Sequence, residues 1–313
     1  MDGPLENPGQ QRKTTVLLTG CSEGGIGFAL AQEYHRRGCR VIATARSPAK
    51  MAGLKKSGIE TLLQLDVADP ASIRAAVQAV TDLLNTTTTA TGGHLDVLVN
   101  NAGGGYQAPL LDADLDEARR LFDVNVWGVL AVTQAFAPLL AASATAGRRP
   151  RVVNIGSVAG IVPIPWQGVC KISQSRSSRP QQHPAPRVPP LGIDVVHIVT
   201  GGIATNFVDN AAAVRLPRTS LYAPLAADIE GNLEGGRVRE AQGCSVETYA
   251  RTVVAQTLKT SPPTSVWKGT LATIVWLGSR LGWDWINDRI IAWMWGMGPL
   301  RAKFMAATSK KQL

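Results

Sequence analysis

Residues 15–27 read Thr-Val-Leu-Leu-Thr-Gly-Cys-Ser-Glu-Gly-Gly-Ile-Gly, and this stretch decides the fold. Thr15–Thr19 is short and apolar, as a buried strand requires. It runs directly into Gly20-Cys21-Ser22-Glu23-Gly24-Gly25-Ile26-Gly27, and an amphipathic helix is predicted over Ile26–Arg37. Glycines at such a turn permit positive φ and close backbone approach, and the helix N-terminus behind them favours an anionic pyrophosphate. A glycine cluster alone could be an ordinary tight turn; here it has the strand–turn–helix context that phosphate binding needs. Gly20, Ser22, Gly25, Ile26 and Gly27 are therefore candidate dinucleotide-binding residues.

Outward from that turn, predicted strands at Arg40–Ala45, Glu60–Leu65, Leu95–Asn100, Arg151–Ile155 and Asp194–Thr200 alternate with helical stretches, among them Ala71–Leu84 and Leu115–Leu140. Buried strands joined by helical crossovers predict an α/β fold: a Rossmann-type, doubly wound parallel sheet with a C-terminal helical tail. Residues 1–13 read as a disordered leader, 14–262 as the sheet domain and 263–313 as a Trp-rich amphipathic tail. Thr86–His94 and Ser143–Pro150 read as expanded loops. Residues 206–262, irregular and rich in small residues, suit a region that covers a substrate.

The second strand ends in Thr44-Ala45-Arg46, with no carboxylate placed for a ribose 2′-hydroxyl. An Arg there suits a 2′-phosphate, which predicts NADPH over NADH; the alternative is a solvated surface Arg. Asp66, closing the third strand, would hold the adenine amino group or cap a helix. Cys21, Cys39, Cys170 and Cys244 show neither paired nor metal-ligand spacing, so a reducing, cytoplasmic compartment and no metal are expected. The net charge of +9 comes from scattered bases, which disfavours nucleic acid as a partner and is better explained by phospholipid or phosphorylated substrates.

With four further motifs, these residues resemble the short-chain dehydrogenase/reductase family over residues 14–207. Asn100-Asn101-Ala102-Gly103 resembles the family's strand end beside the cofactor, implying cofactor roles for Asn101, Ala102 and Gly103. Asn125, in Val124-Asn125-Val126-Trp127-Gly128, matches the mid-helix Asn that orders a proton-relay water. Ser157, in Asn154-Ile155-Gly156-Ser157-Val158-Ala159-Gly160, matches the catalytic Ser that hydrogen-bonds a substrate carbonyl. Thr200-Gly201-Gly202-Ile203-Ala204-Thr205 resembles the Pro-Gly-x-x-x-Thr stretch flanking the nicotinamide, with Thr200 in place of Pro, and implies cofactor roles for Thr200 and Thr205. Within the family, Pro165-Trp166-Gln167-Gly168, Thr200-Gly201-Gly202 and the tail look most like fungal NADPH-dependent 1-acyldihydroxyacetone-phosphate reductases. That implies reduction of an acylated keto-phosphate to a lysophosphatidic acid, although related reductases accept other apolar ketones; a cytoplasmic location on the endoplasmic reticulum or lipid-droplet surface is expected. The glycine loop is one residue longer than the commonest family pattern.

The resemblance fails at the chemistry. The family's general acid is a Tyr thirteen residues after the Ser, followed four residues later by a Lys whose charge lowers the Tyr pKa. Those positions read Cys170 and Gln174. No other Tyr restores the pair: four residues beyond Tyr34, Tyr106, Tyr222 and Tyr249 stand Gly38, Leu110, Ala226 and Val253. Lys171, adjacent to Cys170, points elsewhere on a helix. Losing general acid/base function costs ~10²–10⁴ in rate, so the chain is expected to be a poor reductase. The alternative is a catalytically inactive nucleotide-binding or membrane-docking protein.

Residues 174–190 are disrupted in a second way. Pro180, Pro184, Pro186, Pro189 and Pro190 crowd the stretch where the family's helix would continue, and each interior proline costs a helix ~3 kcal/mol. Low stability and an impaired form of the family-typical homodimer are expected. The spacing from Cys170 to Thr200 is nevertheless what an intact helix would leave. If codons 174–187 are read one nucleotide later, degeneracy permits Lys-Ala-Ala-Val-Leu-Ala-Leu-Ser-Asn-Thr-Leu-Arg-Leu-Glu, an amphipathic helix that opens with the missing Lys. The transcript across codons 160–195 distinguishes a frame error from a true lesion.

In the tail, six of the eight tryptophans fall within Trp267–Trp295. Its uncharged runs are shorter than the ~20 residues that span a bilayer. Trp283, Ile286, Ile290, Trp293 and Met297 share a predicted helical face, ended by Pro299 with basic residues beyond. An apolar aromatic face with flanking cations suits a helix lying in a membrane interface; the competing reading packs it as core. The terminal Lys-Gln-Leu resembles a peroxisomal address only loosely.

Overall fold

The computed structural model describes residues 13–86, 93–175, 189–207, 215–234, 239–240, 243–281 and 284–309. The leader, the threonine run, most of the proline-rich segment, Trp283 and the terminal Lys-Gln-Leu lie outside the described residues. Seven parallel strands form one sheet: β1 (Thr15–Leu18), β2 (Arg40–Ala45), β3 (Thr61–Gln64), β4 (Val97–Asn100), β5 (Arg151–Ser157), β6 (Asp194–Thr200) and β7 (Ser265–Lys268). Their order is β3-β2-β1-β4-β5-β6-β7, so the winding reverses between β1 and β4, and a crevice opens at the strand C-termini there.

Helices cover both faces, as parallel strands require. On one side lie α1 (Ile26–Arg36) and, from far along the chain, a helix at Val246–Thr257. Leu30, Tyr34, Tyr249 and Val253 there meet Val16, Leu18, Val99, Val153 and Ile198 of the sheet. Residues of opposite parity, Leu17, Leu98 and Val152, face the other side, against α3 (Pro70–Asn85) and a helix at Val129–Thr145 through Val80, Leu84, Phe136 and Leu140. Between these come the short α2 (Ala52–Lys56) and α4 (Leu115–Phe122), which continues through a π-turn at Asp123–Gly128 into α5 (Val129–Thr145). Leu115–Thr145 is long and apolar enough by composition to cross a membrane, yet its Val132, Phe136 and Leu140 are buried on the sheet.

Three expectations are corrected. Residues 265–268, assigned to the tail by composition, pair with β6 over His197–Thr200 and complete the sheet. The region 206–262 is not irregular throughout: it contains α7 (Ala226–Leu233) and α8 (Val246–Thr257). Ser245 caps α8 by accepting from Thr248 N–H, and Tyr249, Val253 and Val254 are core residues. Pro299 does not end the tail helix but sits in the first turn of the last one, where proline's missing N–H costs nothing. The tail comprises α9 (Ala272–Arg280), α10 (Asp284–Met294) and α11 (Met297–Ser309). On α10 the predicted face is split: Ile290 and Trp293 are exposed, while Met297 packs against a cluster containing Ile291 and Trp295.

His197 on β6 is buried with its ring packed on Gly156 of β5, where a Cβ would stand 2.6 Å from the imidazole. Its Nε2 has no hydrogen-bond partner among the described residues, and burial pushes its pKa down to about 4. The unfolded chain binds this proton near the ordinary value of ~6.5, so between those values the unfolded state holds more protons. Stability from this site is complete above that window and falls with pH through it. Denaturant unfolding at pH 7 and pH 4.5 is expected to show a smaller pH loss for His197→Asn than for the parent; an unchanged loss refutes the assignment.

Candidate active site

The glycine turn is held by the end of β4. Thr19 Oγ1 accepts from the Asn101 and Ala102 N–H groups at 3.0 and 2.9 Å, and Asn101 Nδ2 donates to the Thr19 and Gly20 carbonyls. Asn101 therefore braces the loop. A Cβ at Gly27 would stand 2.4 Å from Asn101 Nδ2 and 2.5 Å from Gly20 O, so only glycine allows α1 to start this close to the turn. Gly20 (φ 71°) and Gly24 (φ 77°) take left-handed conformations. No side chain caps α1 at Gly25, and no acidic residue lies in its first turn. These free N–H groups and the uncompensated helix dipole fit a pyrophosphate.

Ser22 and Ile26 line the same turn, half-buried. Arg46 follows β2, exposed and without an ion pair among the described residues. Asp66 lies beyond β3, where its Oδ1 accepts from Ala68 N–H at 3.0 Å; the cap of α3 is instead Asp69. Gly103 abuts Asn125, whose Oδ1 lies 3.4 Å from where a Cβ would be.

Ser157 ends β5 beside Thr200 of β6, and its Oγ accepts from Ala159 N–H at 3.1 Å. Asn125 sits in the π-turn, a helical irregularity common at functional sites. Its side-chain amide accepts from Gly104 N–H at 2.9 Å and donates to Gly104 O at 3.1 Å. Asn125 Nδ2 also approaches Ser173 Oγ at 3.5 Å, and Ser173 Oγ–H donates to Cys170 O at 2.9 Å. Ser173 belongs to α6 (Gly168–Ser175), which packs against both the π-turn and the turn after Ser157. The fold thus gathers Ser157, Asn125 and α6 around one end of the sheet.

Cys170 is buried among Tyr106, Ala108, Leu121 and Val169. Tyr106 N–H donates to its Sγ at 3.1 Å and the thiol donates to Tyr106 O at 3.2 Å. Burial pushes the thiol pKa up, so it is neither an anion nor a convenient proton donor. Gln174 lies one turn further along α6, half-buried and uncharged. Lys171 is directed away, its Nζ donating to Ile161 O at 3.1 Å. The two positions on α6 that the resemblance assigns to the acid and the cation thus hold a buried thiol and an uncharged amide.

The short chain dehydrogenase family model matches residues 14–215. The chain belongs to the short-chain dehydrogenase family. A short-chain dehydrogenase/reductase of Pestalotiopsis microspora is 35% identical over 298 residues, 94% of this chain and 98% of that protein. The NADPH-dependent 1-acyldihydroxyacetone phosphate reductase of Schizosaccharomyces pombe is 35% identical over 214 residues, covering 67% and 68% of the two chains. A solved short-chain dehydrogenase of Streptomyces avermitilis superposes with a TM-score of 0.71 over 90% of this chain and 97% of its own, at 24% identity. The family is one of oxidoreductases with a nicotinamide dinucleotide cofactor.

Several contacts of this short-chain dehydrogenase escaped the sequence motifs. Thr200, placed beside the cofactor by its motif, spends its hydroxyl on Tyr249 OH at 2.7 Å, and both are buried. Thr205 is half-buried in the strap that follows β6. Next to it Asn206 N–H donates to Gly24 O at 3.3 Å, and the Phe207 ring fills the space over Gly105. That strap crosses the mouth of the crevice, and the consecutive Gly103-Gly104-Gly105 was the one local signal for it. Trp166 holds φ 65°, a conformation costing a bulky residue about 1–3 kcal/mol, while its indole meets Tyr222 edge-on at 6.0 Å.

Proposed function

We propose that the protein is built to bind NADPH and to reduce the ketone of an acylated dihydroxyacetone phosphate or similar lipid-like substrate, and that Cys170 and Gln174 leave it slow at the chemical step. The observation that carries the reading is an uncapped α1 N-terminus at the C-terminal end of the sheet, together with Asn125 reaching Ser173 of α6, the helix whose buried Cys170 is already committed to the Tyr106 backbone. NADPH, when bound, supplies hydride. Ser157 Oγ–H would donate to the substrate carbonyl, and the π-turn holds Asn125 against α6, where a proton relay would start. No phenol stands at position 170 to protonate the alkoxide and no cation stands at 174 to tune it. Exposed Leu110, Leu111 and Phe207 near the crevice suit an acyl chain. The relationship to the fission-yeast acyl-ketone reductase favours this substrate class. A substrate of that kind is met at a lipid surface, which favours a cytoplasmic location on the endoplasmic reticulum or lipid-droplet surface.

Purified protein is expected to quench on NADPH titration yet oxidise NADPH only slowly with an acyl-ketone. Fast turnover would overturn the assignment of an impaired site, and absence of NADPH binding would overturn the whole reading. Arg46→Ala is expected to weaken NADPH about tenfold while leaving NADH unchanged, the loss of one charge-assisted phosphate contact. Equal weakening of both cofactors would remove Arg46 from the 2′-phosphate.

A further inference from the structure

We propose that the outer faces of α9 and α10 form a membrane-contact plate that seats in the headgroup interface of an anionic bilayer. This adds a contact surface to the lipid-substrate reading, and its test needs no turnover.

The two helices lie in one layer. Ala272 and Val275 of α9, Ile291 of α10 and Trp295 just beyond it are all buried in the same cluster as Val158, Val162 and Val199. They cross closely, since a Cβ at Gly278 would stand 2.5 Å from Asn287 Oδ1. Their outer faces therefore point the same way, off the protein. On α9 that face shows Ile274, Trp276 and Leu277, with Leu281 at the helix end; on α10 it shows Trp285, Ile290 and Trp293. Trp293 is 80% exposed and Trp285 60%, extreme values for the residue that gains most from burial.

The charges choose the occupant. Arg289 lies between the two α10 tryptophans in the same stripe, its guanidinium 5.9 Å over the Trp285 ring, and Arg280 stands 5.9 Å over Trp276. An amphipathic ring with a cation held above it matches the headgroup level of a bilayer, where indole and guanidinium are both stabilised. Residues 263–313 carry seven lysines and arginines against two aspartates, Asp284 and Asp288. α9 and α10 themselves carry Arg280 and Arg289 against Asp284 and Asp288, so the excess that anionic phospholipid complements follows the plate in the chain, in Arg301, Lys303, Lys310 and Lys311 of residues 295–313, a stretch with no carboxylate side chain. Neither helix is long enough to span, so the contact is one of lying on the surface.

Vesicle flotation of the full chain tests this, using phosphatidylcholine vesicles with and without phosphatidylserine. Binding is expected to phosphatidylserine-containing vesicles, with a blue shift of tryptophan fluorescence. Trp285→Ser/Trp293→Ser is expected to weaken it at least ~10-fold through lost apolar burial. Both side chains are exposed, so the variant is expected to keep the parent's circular dichroism; Trp285→Phe/Trp293→Phe is expected to retain most of the binding. Failure of the parent to float with either vesicle overturns the proposal. So does binding that is insensitive to the serine variant, which would mean charge alone. Self-association abolished by the serine variant, without vesicle binding, would assign the face to a second copy instead.

Discussion

Cys170→Tyr/Gln174→Lys is expected to raise the rate of NADPH oxidation with an acylated ketone by ~10²–10⁴ over the parent chain, the usual worth of a positioned acid/base. The two positions are one turn apart on α6 and share a face. A Lys cation there lowers the phenol pKa toward neutrality, which lets the phenol give its proton as charge develops on the substrate oxygen. Asn125 Nδ2 lies 3.5 Å from Ser173 of α6, and the turn after Ser157 packs on the same helix, so the variant changes two groups beside residues already in place. The parent thiol cannot substitute: its proton is engaged by Tyr106 O and burial has raised its pKa. Either change alone should recover much less than the pair, because a phenol without its cation and a cation without its phenol each lack half of the device. Steady-state absorbance at matched NADPH saturation measures the gain. A double variant that folds, binds NADPH and is no faster would show that the proton path is broken elsewhere.

Asp96→Ala is expected to destabilise the protein by about 3 kcal/mol, the low end for breaking a buried ion pair. Asp96 precedes β4 and is buried, and three other parts of the chain converge on its carboxylate. Thr15 N–H donates to Oδ2 at 2.8 Å, Ser143 Oγ–H to Oδ1 at 2.9 Å, and Arg148 binds both oxygens through Nε and Nη2. The start of β1, the end of α5 and the loop before β5 thus share one anion. Its removal strands a guanidinium whose side chain is only 20% exposed, together with two neutral donors. Partial access of water to Arg148 keeps the loss from being larger. Equilibrium denaturant unfolding is the measurement, with Ser143→Ala, expected near 1 kcal/mol, as the single-bond comparison. An Asp96→Ala loss no larger than that of Ser143→Ala would reduce the cluster to a surface contact.

Much of this protein was legible before any coordinates. The six predicted strands all exist within a residue or two of their expected bounds, because buried parallel strands advertise themselves as short apolar runs. The glycine turn was legible as a strand–turn–helix pattern, and Asn101, Asn125 and Ser157 were singled out by their resemblance to the family's motifs; the structure places all four at the C-terminal end of the sheet. β7 was missed because Ser265–Lys268 is four residues long and embedded in tryptophan-rich sequence. α8 was missed because its capping pair, Ser245 and Thr248, is weak, and its burial comes from packing against α1 rather than from a strong pattern of its own.

What the amino-acid order determined by itself was the fold, the cofactor turn and the absence of the acid/base pair, all of which are local in sequence. A Tyr missing from position 170 is missing whatever the packing. The tertiary structure alone decided where each remaining group spends its hydrogen bonds. It turned Cys170 onto Tyr106, 64 residues away, and clamped Thr200 to Tyr249. It also set one side of α10 into the core and left Trp285 and Trp293 facing out. The physical reason is the range of the interaction: periodicity shows which residues share a face of one element, but which face is buried depends on the element that arrives opposite it.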